Sequence, residues 1–348
     1  MGKQNSKGGR AATASTSKAT RKALDKKAAN AVRSRKVAKK KRDQAAKEAA
    51  AAELALAIDP AFTHPLGELL HPGEGFALEQ VDADATPGWK GTREEAEELT
   101  LKLGKELSDL QERLFAHGRT GGTRSVLLVL QGLDTSGKGG IVRHVLGMVD
   151  PQGVSIRSFG VPTQEERTHD YLWRIRNALP APGRIGVFDR SHYEDVLVVK
   201  VDKLVSDEEI DKRYGEIVAF EQELEAAGTT VIKVALVISP QEQYGRLRER
   251  LERADKHWKF SMGDLVTRAK WPQYSAAYDR VFQETSTESA PWYVVPANHK
   301  WYSQLVVTQL LVDALRTLDL DWPEPTYDVA AALVALDATK DDVAGVPA

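Results

Sequence analysis

The sequence predicts an α/β fold in which a doubly wound parallel sheet of five strands is covered by helices. Two observations favour this fold. Short apolar runs rich in β-branched residues alternate with helical stretches through the middle of the chain, a pattern typical of parallel sheets with crossover helices. The first run leads into a glycine-rich loop and then into an amphipathic helix. With 348 residues, the chain is long enough to bury the core of such a domain.

The apolar runs and the turn residues around them give the positions of the five strands: 125–131, 154–159, 184–188, 231–238 and 292–296. The spacing of apolar residues between and after these runs predicts helices over 138–148, 163–178, 207–227 and 300–318. A longer charged helical region, 241–285, follows the fourth strand. Because crossovers between parallel strands are right-handed, these elements form an open sheet with helices on both faces.

The N-terminal segment, 1–57, differs in composition from everything that follows it. Residues 1–50 contain 16 lysines and arginines and 3 acidic residues, a net charge of +13, whereas the rest of the chain carries −15. A segment with so few large apolar side chains cannot offset its ordering entropy. We therefore predict a basic arm that is disordered or partly helical. The alternative is an organelle transit peptide, which is also basic and poor in acids.

Three further segments follow the arm. Over 58–122 we predict a strap rich in proline and glycine and then an amphipathic helix, over 123–325 a phosphate-binding domain with a lid at 241–285, and over 326–348 a tail. The chain has no cysteine, which excludes disulfides, thiolate metal sites and a cysteine nucleophile. No apolar run approaches the roughly 20 residues that span a bilayer. We therefore expect no membrane partner and a cytoplasmic location.

The glycine-rich loop after the first strand has the spacing of a P-loop. Gly132, four further residues, Gly137 and Lys138 match G-x-x-x-x-G-K, and a strand precedes and a helix follows them. In such a loop the backbone N–H groups and the helix N-terminus bind phosphate, and the lysine supplies a cation. The sequence therefore predicts that Gly132, Gly137, Lys138 and Gly139 bind phosphate. The alternative is a glycine-rich turn with a solvated lysine.

Two aspartates are the predicted metal ligands. Gly139 stands where a P-loop usually has the serine or threonine that holds magnesium. Asp134 lies inside the loop, where it would repel phosphate unless a cation lay between them, and Asp189 ends the third strand. We predict Mg²⁺ between Asp134 and Asp189, with Arg190 clamping phosphate oxygens. The alternatives are that Asp134 only caps the loop and that Asp189 and Arg190 form a surface ion pair.

Six motifs extend this pattern along the chain: GLDTSGKGG at 132–140, VDPQGVSIRSF at 149–159, PTQEERTHDYLWRIR at 162–176, FDRSHYEDVLVVKV at 188–201, KHWKF at 256–260 and APWYVVPANHKWY at 290–302. Through these motifs the sequence resembles the polyphosphate kinase 2 family, in particular its class III branch. The resemblance implies a thymidylate-kinase-like P-loop fold with a helical lid. It also implies Mg²⁺-dependent transfer between polyphosphate and a nucleoside mono- or diphosphate, with Asp134, Lys138, Asp189 and Arg190 as the catalytic residues.

The resemblance also assigns Glu194 to the selection of the nucleotide acceptor, because ADP-specific relatives have asparagine at that position. This chain departs from the branch in having Asp189, where many members have asparagine, and no lysine over 159–162. The charged lid offers Arg246 and Arg250 as phosphate ligands that could reach the transition state. The alternative for the lid is a pair of solvated charged helices.

Together these observations predict an enzyme whose partners are inorganic polyphosphate and AMP, ADP and ATP, in a homo-oligomer. A phosphohistidine intermediate on His169, His192 or His257 is less favoured than direct in-line transfer. One rival hypothesis is an ATP-dependent nucleotide or small-molecule kinase on the same fold. The other is a non-enzymatic polyanion-binding protein that acts through the basic arm, for which nucleic acid is a possible ligand.

Overall fold

The computed structural model describes residues 62–340. The predicted basic arm and residues 341–348 lie outside this part of the chain. Five strands form one sheet: β1 Ser125–Gln131, β2 Val154–Ser158, β3 Ile185–Asp189, β4 Thr229–Val237 and β5 Trp292–Pro296. Their order is β2-β3-β1-β4-β5, and every neighbouring pair is parallel. The predicted doubly wound sheet of five strands is confirmed.

The carboxyl end of β1 is where the strand order reverses. The chain leaves β1 for the edge strand β2, returns to β3 beside β1, and then crosses to β4 on the other side of β1. Every residue of β1 is buried, because neighbouring strands and both helical layers cover it. In doubly wound sheets ligands bind at such a switch point, outside the carboxyl ends of the strands.

Helices cover both faces of the sheet. The described helices are α1 Leu66–Leu70, α2 Arg93–Arg119, α3 Lys138–His144, α4 Trp173–Arg176, α5 Val198–Val201, α6 Asp207–Ala226, α7 Pro240–Glu252, α8 Met262–Ala269, α9 Trp271–Thr285, α10 Lys300–Thr317 and α11 Val329–Ala338. One core cluster joins α6 and α9 to alternate residues of β1, Leu127 and Val129. On the opposite side α10 packs against α2 and α3. None of the helices within 62–340 is long and apolar enough to cross a membrane.

The strap that precedes α2 lies against the carboxyl end of β5 and the helices beside it. Phe62 pairs with Trp89 in an antiparallel bridge, with ring centroids 5.9 Å apart. Farther along, Asn298 N donates to Ala83 O at 3.2 Å, and Tyr302 OH donates to Pro87 O at 2.7 Å. These contacts place 78–84 beside the loop that follows β1.

The prediction of a helix over 163–178 is wrong. The structure has a 3₁₀ turn, Glu166–Thr168, and the short helix α4, with His169 extended between them. Asp170 explains the break, because its carboxylate accepts from Leu172 N at 2.9 Å and caps a new turn. Short polar side chains that bond nearby backbone compete with helix propagation in this way.

The long helical region predicted over 241–285 is divided into four pieces. These are α7, a 3₁₀ segment Ala254–Lys259, α8 and α9. Arg253 is extended and ends α7, and a capping box between Ser261 and Asp264 starts α8. The predicted tail contains helix α11, which Asp328 caps and in which no residue is buried.

Candidate active site

The loop between β1 and α3 requires glycine at two positions. Gly132 and Gly137 have φ angles of +144° and +117°, a region that residues with a Cβ rarely adopt. A Cβ at Gly132 would also lie 2.6 Å from both Leu236 O and Ser136 Oγ. The glycines therefore allow the backbone to turn tightly into α3, as a phosphate-binding loop requires.

The side chain of Lys138 lies inside this loop. It is buried, and its Nζ donates to Gly132 O at 2.6 Å and to Leu133 O at 3.4 Å. Burial lowers the pKa of Lys138, while the negative charges of Asp189 and Asp134 act in the opposite direction. The ammonium group of Lys138 thus lies inside the P-loop, against the loop's own carbonyl oxygens.

Asp134 and Arg190 form an ion pair across the switch point. Arg190 Nη2 donates to Asp134 Oδ1 at 2.8 Å, and the carboxylate is mostly buried. Arg190 has a φ of +63°, which is strained for a residue with a side chain, and its N–H donates to Leu130 O at 3.0 Å. Burial alone would lower the pKa of Arg190, but Glu194, Asp134 and Asp189 raise it. The guanidinium therefore stays charged between three carboxylates.

Asp189 and Asp134 fit the two-carboxylate magnesium site that the sequence predicts. Asp189 ends β3 opposite Leu130, and its carboxylate has no hydrogen bond or ion pair to any residue within 62–340. In this part of the chain no group of three His, Cys, Asp or Glu residues could hold a metal. Mg²⁺ in kinases is commonly held by one or two carboxylates together with phosphates and water, so two aspartates beside a P-loop suit it.

Glu194 lies in the same site, on the 3₁₀ turn His192–Asp195 that follows Arg190. Burial raises the pKa of the Glu194 carboxyl, and the charges of Arg190 and Lys138 lower it. The structure thus brings together Asp134, Lys138, Asp189, Arg190 and Glu194. The motifs of the sequence predicted the first four as site residues, and the family resemblance alone assigned Glu194.

The lid arginines have contacts that the sequence did not indicate. Arg246 is buried, donating from Nη1 to Thr135 O at 2.8 Å and from Nη2 to Ala297 O at 2.7 Å and Asn298 O at 3.0 Å. It therefore holds the P-loop to the end of β5. Arg250 lies within the lid and donates to Asp264 Oδ2 at 3.2 Å.

A buried polar cluster lies behind the 192–195 turn and was not predicted from the sequence. Lys233, fully buried in β4, donates to Glu221 Oε2 at 2.6 Å and to Tyr193 OH at 3.1 Å. Glu221 Oε1 accepts from Tyr193 OH at 2.7 Å and lies 3.2 Å from His192 Nε2. A lysine inside an apolar central strand was the available signal, because a buried charge requires a partner.

A cavity of about 420 Å³ opens beside the P-loop, next to Gly132 and Leu133. Three acidic residues of the strap and three aromatic side chains of α9 contribute to its lining: Glu79, Asp82, Asp84, Trp271, Tyr278 and Phe282. Aromatic faces can stack on a planar base, and carboxylates accept hydrogen bonds from amino and hydroxyl groups. The cavity thus suits a nucleoside better than a phosphate.

Comparisons with known proteins agree with this geometry. The family model for polyphosphate kinase 2 matches residues 90–322. The AMP/ADP-polyphosphate phosphotransferase of Meiothermus ruber is 45% identical over 256 residues, which cover 74% of this chain and 94% of that protein. The ADP-polyphosphate phosphotransferase of Rhodopseudomonas palustris is 39% identical over 270 residues, or 73% of this chain and 91% of that protein.

A solved structure is similar as well. The crystal structure of polyphosphate kinase 2 from Arthrobacter aurescens TC1 superimposes with a TM-score of 0.78 at 49% identity, covering 80% of this chain and 98% of that one. The family match, the relatives and the fold all point to the family that the motifs indicated. The chain therefore belongs to the polyphosphate kinase 2 family and is an enzyme that transfers phosphoryl groups.

Proposed function

We propose that this chain transfers phosphoryl groups between inorganic polyphosphate and adenine nucleotides, converting AMP to ADP, ADP to ATP, or both. The observation that carries the proposal is the buried Lys138 inside the P-loop, next to the Asp134–Arg190 pair, in a member of this family. The relatives described above are named AMP/ADP-polyphosphate and ADP-polyphosphate phosphotransferase. A cytoplasmic location and a homo-oligomeric assembly remain predictions.

The proposed roles follow from charge and position. Lys138 and Arg190 stabilise the charge on the transferring phosphoryl group, and the N–H groups of the loop orient its oxygens. Asp134 and Asp189 would hold Mg²⁺, which supplies further neutralisation of phosphate charge. Since phosphoryl transfer needs little covalent help from a protein, positioning and electrostatics account for most of the catalysis.

The cavity beside Gly132 is the proposed site of the acceptor nucleoside. It adjoins the P-loop, so a nucleoside there would extend its phosphate toward Lys138. The lid is proposed to close over the phosphates and exclude water, which would otherwise hydrolyse the donor. Arg268, on α8, donates from Nη1 to Gln243 Oε1 at 2.9 Å, and Gln243 Nε2 donates to Asp134 O at 3.1 Å, so the lid already lies close to the loop. Arg250, which contacts Asp264, remains a predicted phosphate ligand, whereas the guanidinium of Arg246 already donates to backbone carbonyls beside the loop.

The direct test is to incubate the purified protein with Mg²⁺ and polyphosphate, offering AMP, ADP, GMP and GDP separately, and to separate the products by chromatography. We expect ADP or ATP to form and chelation of the metal to stop the reaction. Transfer from ATP to a second substrate, with none from polyphosphate, would instead support the rival kinase. Polyphosphate binding without any turnover would support the polyanion-binding protein.

Replacing Glu194 with asparagine should reduce kcat/KM for AMP more than for ADP. A carboxylate beside the acceptor can order a water or a metal ion in the place of the phosphate that AMP lacks. The measurement is steady-state kinetics with each acceptor at saturating polyphosphate. Equal losses with AMP and ADP would remove Glu194 from acceptor selection.

Deleting residues 1–50 should raise the KM for long polyphosphate and leave the maximal rate and short-chain kinetics nearly unchanged. Removing a net charge of +13 leaves a chain of net −15, which repels a polyanion. At physiological salt this field decays over about 8 Å, so capture must involve direct pairing. Each neutralised phosphate contributes about −0.7 to the slope of log affinity against log salt.

The truncated protein should therefore show a flatter salt dependence of KM than the full chain. The comparison needs several salt concentrations and two chain lengths of polyphosphate. Identical kinetics at every salt concentration would show that the arm serves another purpose, such as contact with nucleic acid.

A further inference from the structure

The side chain of Gln131, the last residue of β1, joins the P-loop strand to the turn that carries Glu194. Gln131 is fully buried, and its amide lies between Ser191 and the Glu194 carboxylate. A carboxylate can only accept a hydrogen bond and a backbone N–H can only donate one. The amide nitrogen of Gln131 therefore faces Glu194 and its oxygen faces Ser191.

In this orientation both polar atoms of the Gln131 amide have hydrogen-bond partners. Gln131 Nε2 donates to Glu194 Oε1 at 3.0 Å, and Gln131 Oε1 accepts from Ser191 N at 3.2 Å and Ser191 Oγ at 3.1 Å. Ser191 Oγ in turn accepts from Tyr193 N at 3.2 Å. One buried amide thus fixes both the start of the 192–195 turn and the carboxylate on it.

The hydrogen bond to Gln131 holds the Glu194 side chain, whereas the other residues of the 192–195 turn have other partners. His192 and Tyr193 are held from the core by Glu221, and Asp195 pairs with Arg174 at 3.2 Å. Within 62–340, by contrast, the side chain that hydrogen bonds to the Glu194 carboxylate is that of Gln131 alone. Arg190 and Lys138 act on Glu194 only through their charges.

We propose that Gln131 is a positioning residue that sets the place of the Glu194 carboxylate relative to the P-loop and thereby acts on acceptor selection. The inference rests on the proposed function. Because Gln131 directly precedes Gly132, the carboxylate and the phosphate-binding loop are both fixed to the end of the same strand. A buried, fully bonded amide of this kind is rigid, so it can hold a charged group in one place.

The test is a double-mutant cycle with Gln131→Glu and Glu194→Gln. Gln131→Glu keeps the shape of the side chain and the acceptor for Ser191, but places a second carboxylate opposite Glu194. In the double variant an amide faces a carboxylate again, with the two exchanged. Kinetics with AMP and ADP, together with calorimetric affinities for both nucleotides, are measured for all four proteins.

In the wild-type background we expect Gln131→Glu to lower the ratio of kcat/KM for AMP to that for ADP by at least about tenfold. A coupling of this size is typical of residues that contact each other in one hydrogen-bond network. In the Glu194→Gln background the same substitution should change this ratio by less than about threefold. The AMP-to-ADP affinity ratio should follow the same pattern. A similar effect of Gln131→Glu in both backgrounds would overturn the proposal.

Gln309→Glu is the matched control. Gln309 is also a buried glutamine that donates to a carboxylate, Asp313 Oδ1 at 2.8 Å, but it lies in α10. Gln309→Glu should lower the free energy of unfolding without changing the AMP-to-ADP ratio of kcat/KM. A change in that ratio as large as the one that Gln131→Glu causes would contradict a positioning role for Gln131. If Gln131→Glu does not fold, Gln131→Met, which removes the amide without adding charge, must still lower the ratio. The affinities test Gln131 even if the wild-type chain transfers no phosphate, a result that would overturn the proposed function alone.

Discussion

Lys138→Ala and Asp134→Asn are each expected to abolish phosphoryl transfer while the chain stays folded. Lys138→Ala removes the cation from inside the P-loop, and Asp134→Asn removes both a proposed metal ligand and the partner of Arg190. Losing one contact that acts on transition-state charge costs about 10²- to 10³-fold in kcat. The measurement is the initial rate of transfer from polyphosphate to ADP.

Circular dichroism of both variants should match that of the wild type. Lys105→Ala, on the exposed side of α2 and away from the site, is the matched control and should retain full activity. If either site variant kept more than about a tenth of the wild-type rate, the loss expected for a transition-state contact would be missing and its assigned role would be wrong.

Lys233→Met is expected to be the most destabilising substitution in the buried cluster behind the site. It leaves the fully buried Glu221 carboxylate without the ammonium group that lies 2.6 Å away. Removing one partner of a buried ion pair typically costs about 3–5 kcal/mol. The free energy of unfolding from urea titrations gives the measurement.

Adding Glu221→Gln to Lys233→Met should recover part of this loss, because no unpaired charge then remains and the amide can still accept from Tyr193. A double variant less stable than the single one would contradict this account.

Burial alone would raise the pKa of Glu221, but Lys233 and His192 hold it below its ordinary value of 4.5. The contribution of the charged carboxylate is therefore complete above pH 4.5 and is lost as the pH falls through the lower, folded pKa.

Local patterns were enough to predict the sheet and the phosphate-binding loop. Each strand combines an apolar run with bounding turns, and its ends differ from the prediction by at most two residues. The P-loop was predictable because glycine spacing, strand and helix are all local in sequence. Asp189 and Arg190 could be placed at the site because parallel strands end at one edge of the sheet.

What sequence reasoning missed depends on contacts between distant residues. The break at His169 comes from side-chain capping by Asp170, which outweighs the helical periodicity over 163–178. The sequence did not distinguish Arg246 from the other lid arginines, because its hydrogen bonds to Thr135 and Ala297 depend on the fold. Gln131 looked like an ordinary strand end, since its role depends on Ser191 and Glu194, which lie about sixty residues later.

The contacts of Arg246 hold the first part of the predicted lid in place and leave the later part outside them. This side chain joins the first half of α7 to the P-loop and to the residues after β5, so that half of the helix belongs to the rigid frame of the site. Movement of the proposed lid would therefore begin farther along the chain. The non-helical Arg253 and Lys270 bound the segment 254–269, which is where the proposed lid would move. A short segment that moved between these two residues would leave the phosphate-binding backbone in place, so the geometry of the transfer site would be the same with the proposed lid open or closed.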